Sequence, residues 1–458
     1  MYATLPIEVL NRELDGRIYF ALKLLQRDIP SIMGNKTAIH DYVTANDDFF
    51  LWFDKGVYHK LLDYYKTLIA KGGTLLEIRE EWGVSADENN LAVKTVAACL
   101  PYFEEIYGWG ELPVERTKEL APKELQYKFH KTGVPSFDLF HQPYWQLYEK
   151  LAEKKPEIPE GCILMNANYA LYNCAANIEG LSRLNDGLPD EEEKKKQDHY
   201  KIIYKKQEKD FKKFISLART LSSAFPERTI VVRPHPVEEL KRYTDLLGDR
   251  NNIRISKEGS VRLWIAKAAA VVHKDCTTGI EAYMAGKPVF SYRPGENSKY
   301  VAWLPVSVST VVNTEDELTY ALREEFASPV ESSRTKEKDN YLRKYVASID
   351  FLAVDKILDD VEKKLPQWKK GKNDNPPMKS LPVAVQIKRC LRMVKIGIRN
   401  LFSDDVDAGV RTLQQSKFGG IDPRDIELRI RILREIDPSL PNVKLTEVTE
   451  DLYLFEKK

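Results

Sequence analysis

Two short runs in the second half of the chain carry residue types that bind anions. The β-branched run Thr229-Ile-Val-Val232 reads as a buried strand, and its end delivers Arg233 and His235 in Arg233-Pro-His-Pro236, with Pro236 completing a turn stiffened by two prolines. Further along, Ala268 to Val272 reads as a second buried strand, followed by His273-Lys-Asp-Cys-Thr-Thr-Gly279 and a helix from Ile280. Backbone N–H groups at such a strand-to-helix turn face a phosphate. Lys274 would add charge, Thr277 and Thr278 hydroxyl donors, Gly279 room for close approach, and Glu281 an acceptor for ribose hydroxyls. Each run also has a plain structural reading: a rigid surface turn for the first, a helix N-cap for the second. Their common place at strand ends, where ligands collect in open α/β sheets, favours a nucleotide phosphate.

The elements that would hold these residues follow a βα rhythm twice. In residues 1–157, strands at Tyr2 to Val9, Ser31 to Gly34, Phe49 to Phe53 and Thr74 to Ile78 alternate with helices at Glu13 to Arg27 and Tyr58 to Lys71. In 158–345 the pattern restarts at Cys162-Ile-Leu-Met165, passes a helix from Tyr204 to Phe225 and continues through strands at Thr229, Ile253, Ala268 and Pro288. Two doubly wound domains with an interdomain cleft are expected, with 346–458 as a helical extension. Asn168 and Asn173 follow the first strand of the second domain, as donor contacts or as an Asn-rich turn. The run Asp190 to Lys196 reads as a solvated loop or helix end.

Group transfer also needs a carboxylate to take a proton from an acceptor. Glu80 and Glu81, after the strand Thr74 to Ile78, are the candidates; the competing reading is a helix start favouring acids. Arg12, Glu13, Asp15, Asp54 and Lys55 also follow strands of the first domain, and either line the cleft or cap helices. The seven histidines show no metal-binding spacing, so no metal is expected.

At 458 residues, 43% hydrophobic and 30% charged, the chain has the composition of a globular protein, and a net charge of +1 argues against a whole-surface nucleic-acid binder. No signal-peptide pattern opens it, no apolar run approaches the roughly 18 residues of a membrane span, and five scattered cysteines suit reduced thiols. A cytoplasmic protein is expected. Cys276 reads as a small buried hydrophobe rather than a nucleophile.

Two such domains with a site at the second sheet's edge describe the GT-B arrangement. The chain also resembles bacterial capsule and O-antigen glycosyltransferases that use CMP-activated Kdo or other nonulosonic acids. The resemblance runs through Leu5-Pro-Ile-Glu8, Arg12-Glu-Leu-Asp15, Asp54-Lys55-Gly56, Thr132-Gly-Val-Pro-Ser-Phe-Asp138, Arg233-Pro-His-Pro236 and the Thr277-Thr278 loop. It implies that His235 and Thr277/Thr278 hold a cytidine nucleotide's phosphate, with His235 in the catalytic machinery, no cofactor, a CMP-sugar donor and a glycan or lipid-linked glycan acceptor. In similar sequences an acidic pair is followed directly by glycine; here Trp82 separates Glu81 from Gly83. The shared motifs leave a CDP-glycerol-type phosphotransferase, an NDP-sugar transferase or epimerase, and a non-catalytic nucleotide-binding subunit as alternatives.

From Lys363 to Phe402 there are eleven Lys/Arg and one acid, Asp374. Within 379–402, Ile387, Leu391, Val394, Ile398 and Leu401 share one helical face beside Lys388, Arg392, Lys395 and Arg399. Such a helix suits the anionic inner face of the cytoplasmic membrane; the competing reading packs its apolar face on the first domain. Asp422-Pro-Arg-Asp425 predicts a helix start, and Leu452 to Phe455 a strand.

Overall fold

The first strand, β1 (Tyr2–Ile7), is buried at all six positions, and a strand with no solvent face belongs to a parallel sheet covered by helices on both sides. The computed structural model describes residues 1–58, 61–80, 98–174, 190–295, 302–329, 332–401 and 418–458. In the first sheet, β1 is followed by β2 (Ser31–Asn35), β3 (Phe50–Asp54), β4 (Gly73–Ile78), β5 (Phe103–Gly108) and β6 (Phe129–Lys131). The second sheet comprises β7 (Cys162–Asn166), β8 (Ile230–Arg233), β9 (Ile253–Ile255), β10 (Ala268–His273), β11 (Val289–Tyr292) and β12 (Thr310–Val312), and the chain closes with β13 (Val443–Thr449) and β14 (Leu452–Lys457).

The first sheet has the order β13-β14-β2-β1-β3-β4-β5-β6 and the second β12-β11-β10-β7-β8-β9. Strands β1 to β6 pair in parallel, as do β7 to β12. Strand order reverses between β1 and β3 in one sheet and between β7 and β10 in the other. In a doubly wound sheet the crevice for a ligand opens at that reversal, outside the carboxyl ends of the strands. These two Rossmann-like domains make a GT-B fold.

The helix Leu10–Gln26 follows β1 and buries thirteen consecutive residues from Glu13 to Leu25. It sits where the two domains meet: one continuous apolar cluster joins its Ile18, Phe20 and Leu24 to Tyr148 and Leu151 of the helix Gln146–Glu153, and on to Trp264 and Ile280 of the second domain. Two further clusters cover the outer faces of the sheets. The segment Thr132 to Asp138 anchors the return of the chain, because the buried Asp138 carboxylate accepts the N–H groups of Ala353 (2.7 Å) and Val354 (2.9 Å) at the start of the helix Ala353–Lys369.

Beyond Ala353 the chain belongs to the first domain. Asp422 caps the helix Pro423–Ile436, with proline in its first turn, in agreement with the sequence. The helical extension, expected with one strand at Leu452 to Phe455, holds two: β13 and β14 form an antiparallel hairpin, and β14 pairs antiparallel with β2, setting Leu454 against Ile32. The alternating Leu452 to Phe455 supplies side chains to both faces of the sheet, and β2 would otherwise be an open edge. The charged run from Asp190 is a helix end rather than a loop, the second of the two readings it allowed: it opens the 35-residue helix Asp190–Ala224.

Leu454 is fully buried, so Leu454→Ala should cost about 2–5 kcal/mol and lower the thermal midpoint of the whole protein. An unchanged midpoint would show that the hairpin lies outside the cooperative unit.

Candidate functional site

The carboxyl edge of the second sheet gathers the first set of residues. Asn166 ends β7, the strand flanked by β8 and β10, in register with Arg233 on one side and His273 on the other. Its amide Nδ2 donates to Thr278 Oγ1 at 3.0 Å. On the β8 side the turn at His235 is held by Glu238, whose buried carboxylate accepts the N–H groups of His235 and Tyr169 (3.0 Å each) and the Tyr243 hydroxyl (2.5 Å). Burial pushes the Glu238 carboxyl up despite those donors. Val237 N–H donates to His235 Nδ1 at 3.4 Å, so in the neutral ring the proton sits on Nε2. Asn168 Nδ2 donates to the Asp275 carbonyl (3.4 Å) and Asn173 Nδ2 to the Glu239 carbonyl (3.0 Å). Three acceptors near this edge, Oδ1 of Asn166, Asn173 and Asp275, are buried without a hydrogen-bond partner among the described residues. Unpaired buried acceptors are costly, and sugar or ribose hydroxyls are the kind of donor that would satisfy them.

Five residues expected at the nucleotide are engaged within the protein. Arg233 donates to the carbonyls of Lys257, Glu258 and Gly259, bracing the loop after β9; burial brings its guanidinium down to about 10. Lys274 pairs with Asp210 of the helix Asp190–Ala224 at 2.8 Å and lies over the Tyr169 ring; burial lowers its ammonium against the pull of Asp210. Gly279 answers a local crowding: a Cβ there would lie 2.4 Å from His273 Nε2. Glu281 is tied to Arg262 by contacts of 3.1 and 3.0 Å. Pro236 is exposed, and its carbonyl accepts from Lys257 at 3.1 Å. Burial raises the Cys276 thiol, in line with a small hydrophobe.

At the strand reversal of the first sheet, charges interlock. Lys36, the residue after β2, contacts Glu8 (2.9 Å) and Asp54 (3.1 Å), while Lys55 contacts Glu8 and Glu13 (3.0 Å each). Burial alone would raise the Glu8 carboxyl, but the two lysines outweigh it and bring it down to about 2. Glu13 accepts the N–H groups of Glu8 (2.8 Å) and Val9 (3.2 Å); burial raises its carboxyl against Lys55, and Glu80 adds to the rise. Asp54, almost fully buried, also takes the Trp52 indole N–H. Glu80 comes 3.2 Å from Arg17, a guanidinium only 3% exposed whose Nε has no hydrogen-bond acceptor among the described residues. Arg12 is exposed. Asp15 leaves the rim altogether, pairing with Arg429 of the tail at 2.6 Å, and Glu81 lies outside the described residues.

Sequence reasoning missed Lys36, Arg17, Asn166 and Glu238. Three had a signal. Lys36 and Asn166 stand where a buried apolar strand ends, the same rule that picked out Asp54 and Lys55, and Arg17 follows Glu13 by one helical turn. Glu238 had none, because its link to the loop after β7, through Tyr169 N–H, spans 69 positions of sequence.

A third charged group lies elsewhere in the first domain: Glu105, His130 and Asp360 converge closely enough to hold an ion. Lys364 already occupies that point, 2.7 Å from Glu105 and 2.9 Å from Asp360.

No known family model matches this sequence, and no curated protein matches it. Solved structures do share its course. The UDP-GlcNAc 2-epimerase of Methanocaldococcus jannaschii, in complex with UDP-GlcNAc and UDP, is 11% identical over 79% of this chain and 100% of its own, with a TM-score of 0.49. The UDP-GlcNAc 2-epimerase from Neisseria meningitidis bound to UDP-GlcNAc is 14% identical over 79% and 100%, at 0.45. The wall teichoic acid polymerase TagF is 11% identical over 80% and 89%, at 0.46. Likeness at this level carries no argument about activity, and the fold stands on the sheet topology.

A buried histidine at the carboxyl edge of the second sheet makes the stability of the fold depend on pH. His273 is fully enclosed, accepts from Cys276 N–H at Nδ1 (3.4 Å), and contacts Ser309 Oγ through Nε2 at 2.8 Å. Burial lowers its imidazole to about 3, against about 6.5 in the unfolded chain. The unfolded state therefore binds the proton first: this contribution is whole above pH 6.5 and is lost as pH falls toward 3, by at most about 1.4 kcal/mol per pH unit. Glu8 acts in the same direction at lower pH, losing its contribution from about 4.3 downward. The thermal midpoint should fall between pH 6.5 and 4, and His273→Asn should flatten that part of the profile; a profile identical in the variant would refute the assignment.

Proposed function

We propose that this protein acts on a nucleotide-activated sugar bound between the two strand reversals. The observation that carries the reading is Asn166, bonded to Thr278 and flanked in register by Arg233 and His273, whose strands run on to His235 and to Thr277/Thr278, beside amide oxygens buried without donors among the described residues. In this reading His235 Nε2–H and the threonine hydroxyls take the phosphate, while Asn168 and Asn173 shape the wall of the pocket. The threonine hydroxyls are neutral donors, which suits a phosphate that gains charge as it leaves.

On the first domain Glu80 is the proton acceptor. Arg17 holds its carboxylate at the rim, where solvent still reaches it. For transfer, the acceptor hydroxyl gives its proton to Glu80 and its oxygen bonds to the anomeric carbon, as the bond from that carbon to the phosphate oxygen breaks. Lys36 and Lys55 keep the neighbouring Glu8 and Glu13 from repelling an anionic substrate. The sequence resemblance supports a CMP-linked nonulosonic acid as donor and a glycan, free or lipid-linked, as acceptor, with the work done at the inner face of a membrane.

A second reading, nucleotide-sugar epimerisation, is favoured by one observation. Glu13 and Glu80 stand close enough for each to feel the other's charge, so two carboxylates meet at this rim. Proton removal and return at one sugar carbon needs such a pair.

Calorimetric titration with CMP, CDP, UDP and GDP should find one nucleotide that binds. His235→Ala should then weaken it by about ten- to a hundredfold, the worth of a hydrogen bond to a charged group, with an unchanged melting curve. Equal affinity would remove the phosphate assignment. Glu80→Gln should abolish turnover and leave nucleotide affinity in place; sugar-nucleotide turnover without any acceptor would decide for epimerisation.

A further inference from the structure

The helix Val383–Leu401 shows an unexpected orientation. Val383, Ile387, Leu391 and Val394, spaced by four, four and three residues, fall on one face, and they are 70%, 54%, 64% and 58% exposed. The reading in which this stripe packs on the first domain is overturned. What packs there is the opposite side: Val385 joins the apolar cluster around Ile39 and Tyr42, and Arg392 makes a two-pronged contact with Asp41 at 2.7 and 2.8 Å. The approach is also fixed, with Leu381 buried and the Tyr42 hydroxyl bonded to the Met378 carbonyl at 3.0 Å. The stripe therefore faces outward because its other side is seated.

Four aligned apolar side chains facing water mark an interaction site, and charge selects the partner. From Asn375 to Ser403 the sequence contains six Lys/Arg and no Asp or Glu. Lys388 is exposed next to the stripe, and only Arg392 among the described side chains of the helix has a carboxylate partner. No described helix is long and apolar enough to cross a membrane. An apolar face bordered by uncompensated cations fits a surface with an acyl interior and an anionic rim.

We infer that this helix docks the protein, lying in the interface plane, on a membrane containing anionic lipid. Val383, Ile387, Leu391 and Val394 enter the headgroup and acyl boundary, while Lys379 and Lys388 meet the lipid phosphates. The helix under it, Lys36–Thr44, begins with the Lys36 of the charged rim, so docking holds the first domain's rim at a set position relative to the bilayer. This inference is independent of the reaction.

The test is co-sedimentation of the full chain with vesicles of phosphatidylcholine alone and with added phosphatidylglycerol. The wild type should bind only the anionic vesicles and be released by salt. The double variant Ile387→Glu/Leu391→Glu, altered at exposed positions, should lose binding at least tenfold while keeping its melting curve and nucleotide affinity. Binding of wild type and variant alike, binding to neutral vesicles alone, or no binding would overturn the inference. So would a wild-type dimer that the double variant turns into a monomer, which would make the stripe a contact between copies.

Discussion

The arrangement of the two domains depends on one buried cation. Arg262, at the start of the helix Val261–Lys267, donates to the Tyr148 hydroxyl at 2.7 Å and pairs with Glu281, and its guanidinium lies over the rings of Phe140 and Tyr148. Burial alone would lower it, but Tyr148 and Glu281 outweigh that and hold it charged, with Asp15 adding to the effect. Asp15 in turn binds Arg429. One charge thus connects the second domain, the linking helix Gln146–Glu153, the first helix of the first domain and the tail. Removing a single partner would leave an uncompensated ion in an apolar cluster, which is far worse than never having placed the pair there. The cleft geometry is therefore specified by electrostatics at a point where apolar packing alone would tolerate sliding.

This constraint explains how the rims divide their labour. A cation at a strand end has to be neutralised whether or not a ligand is present. Arg233 does so with three carbonyls, Lys274 with Asp210, and Lys36 and Lys55 with Glu8, Asp54 and Glu13. The strong charges thereby become scaffold, fixing loops and the neighbouring helix. Beside this scaffold, the second rim presents the threonine pair and the buried amide oxygens of Asn166 and Asn173, which have no donor among the described residues.

The same division limits what the sequence could reveal. Ten of the fourteen described strands were legible because runs such as Leu51 to Phe53 and Val231 to Val232 are apolar without alternation, while β5, β6, β12 and β13 were not; the strand-end rule put His235, Thr277, Thr278, Asp54 and Lys55 at or beyond strand ends, where the fold has them. Charge type alone misled at Arg233, Lys274 and Glu281, since their partners lie on elements distant in sequence. Gly279 misled for another reason: its lack of a side chain makes room for His273, a neighbour that only the folded chain brings into contact. The tail was legible as helix and strand but not as part of the first sheet, because pairing of β14 with β2 joins residues more than four hundred positions apart and leaves no local trace.

The tail also gives the two ends of the molecule a common frame. The N-terminal amine bonds to Asp374 at 2.6 Å, Phe49 N–H to the Asn373 carbonyl at 2.7 Å, and Asn375 to Asp48 at 2.7 Å, so a strap runs across the amino edge of β1 and β3. It continues through Met378 and Leu381 into the helix that carries the exposed apolar stripe, and the chain returns through the helix Pro423–Ile436 to place Arg429 on Asp15. The first sheet is therefore gripped at its amino edge by the strap, at its open side by β14 and near the cleft by Arg429. A load applied at the stripe is carried by the first domain as a unit, through the strap, β14 and Arg429.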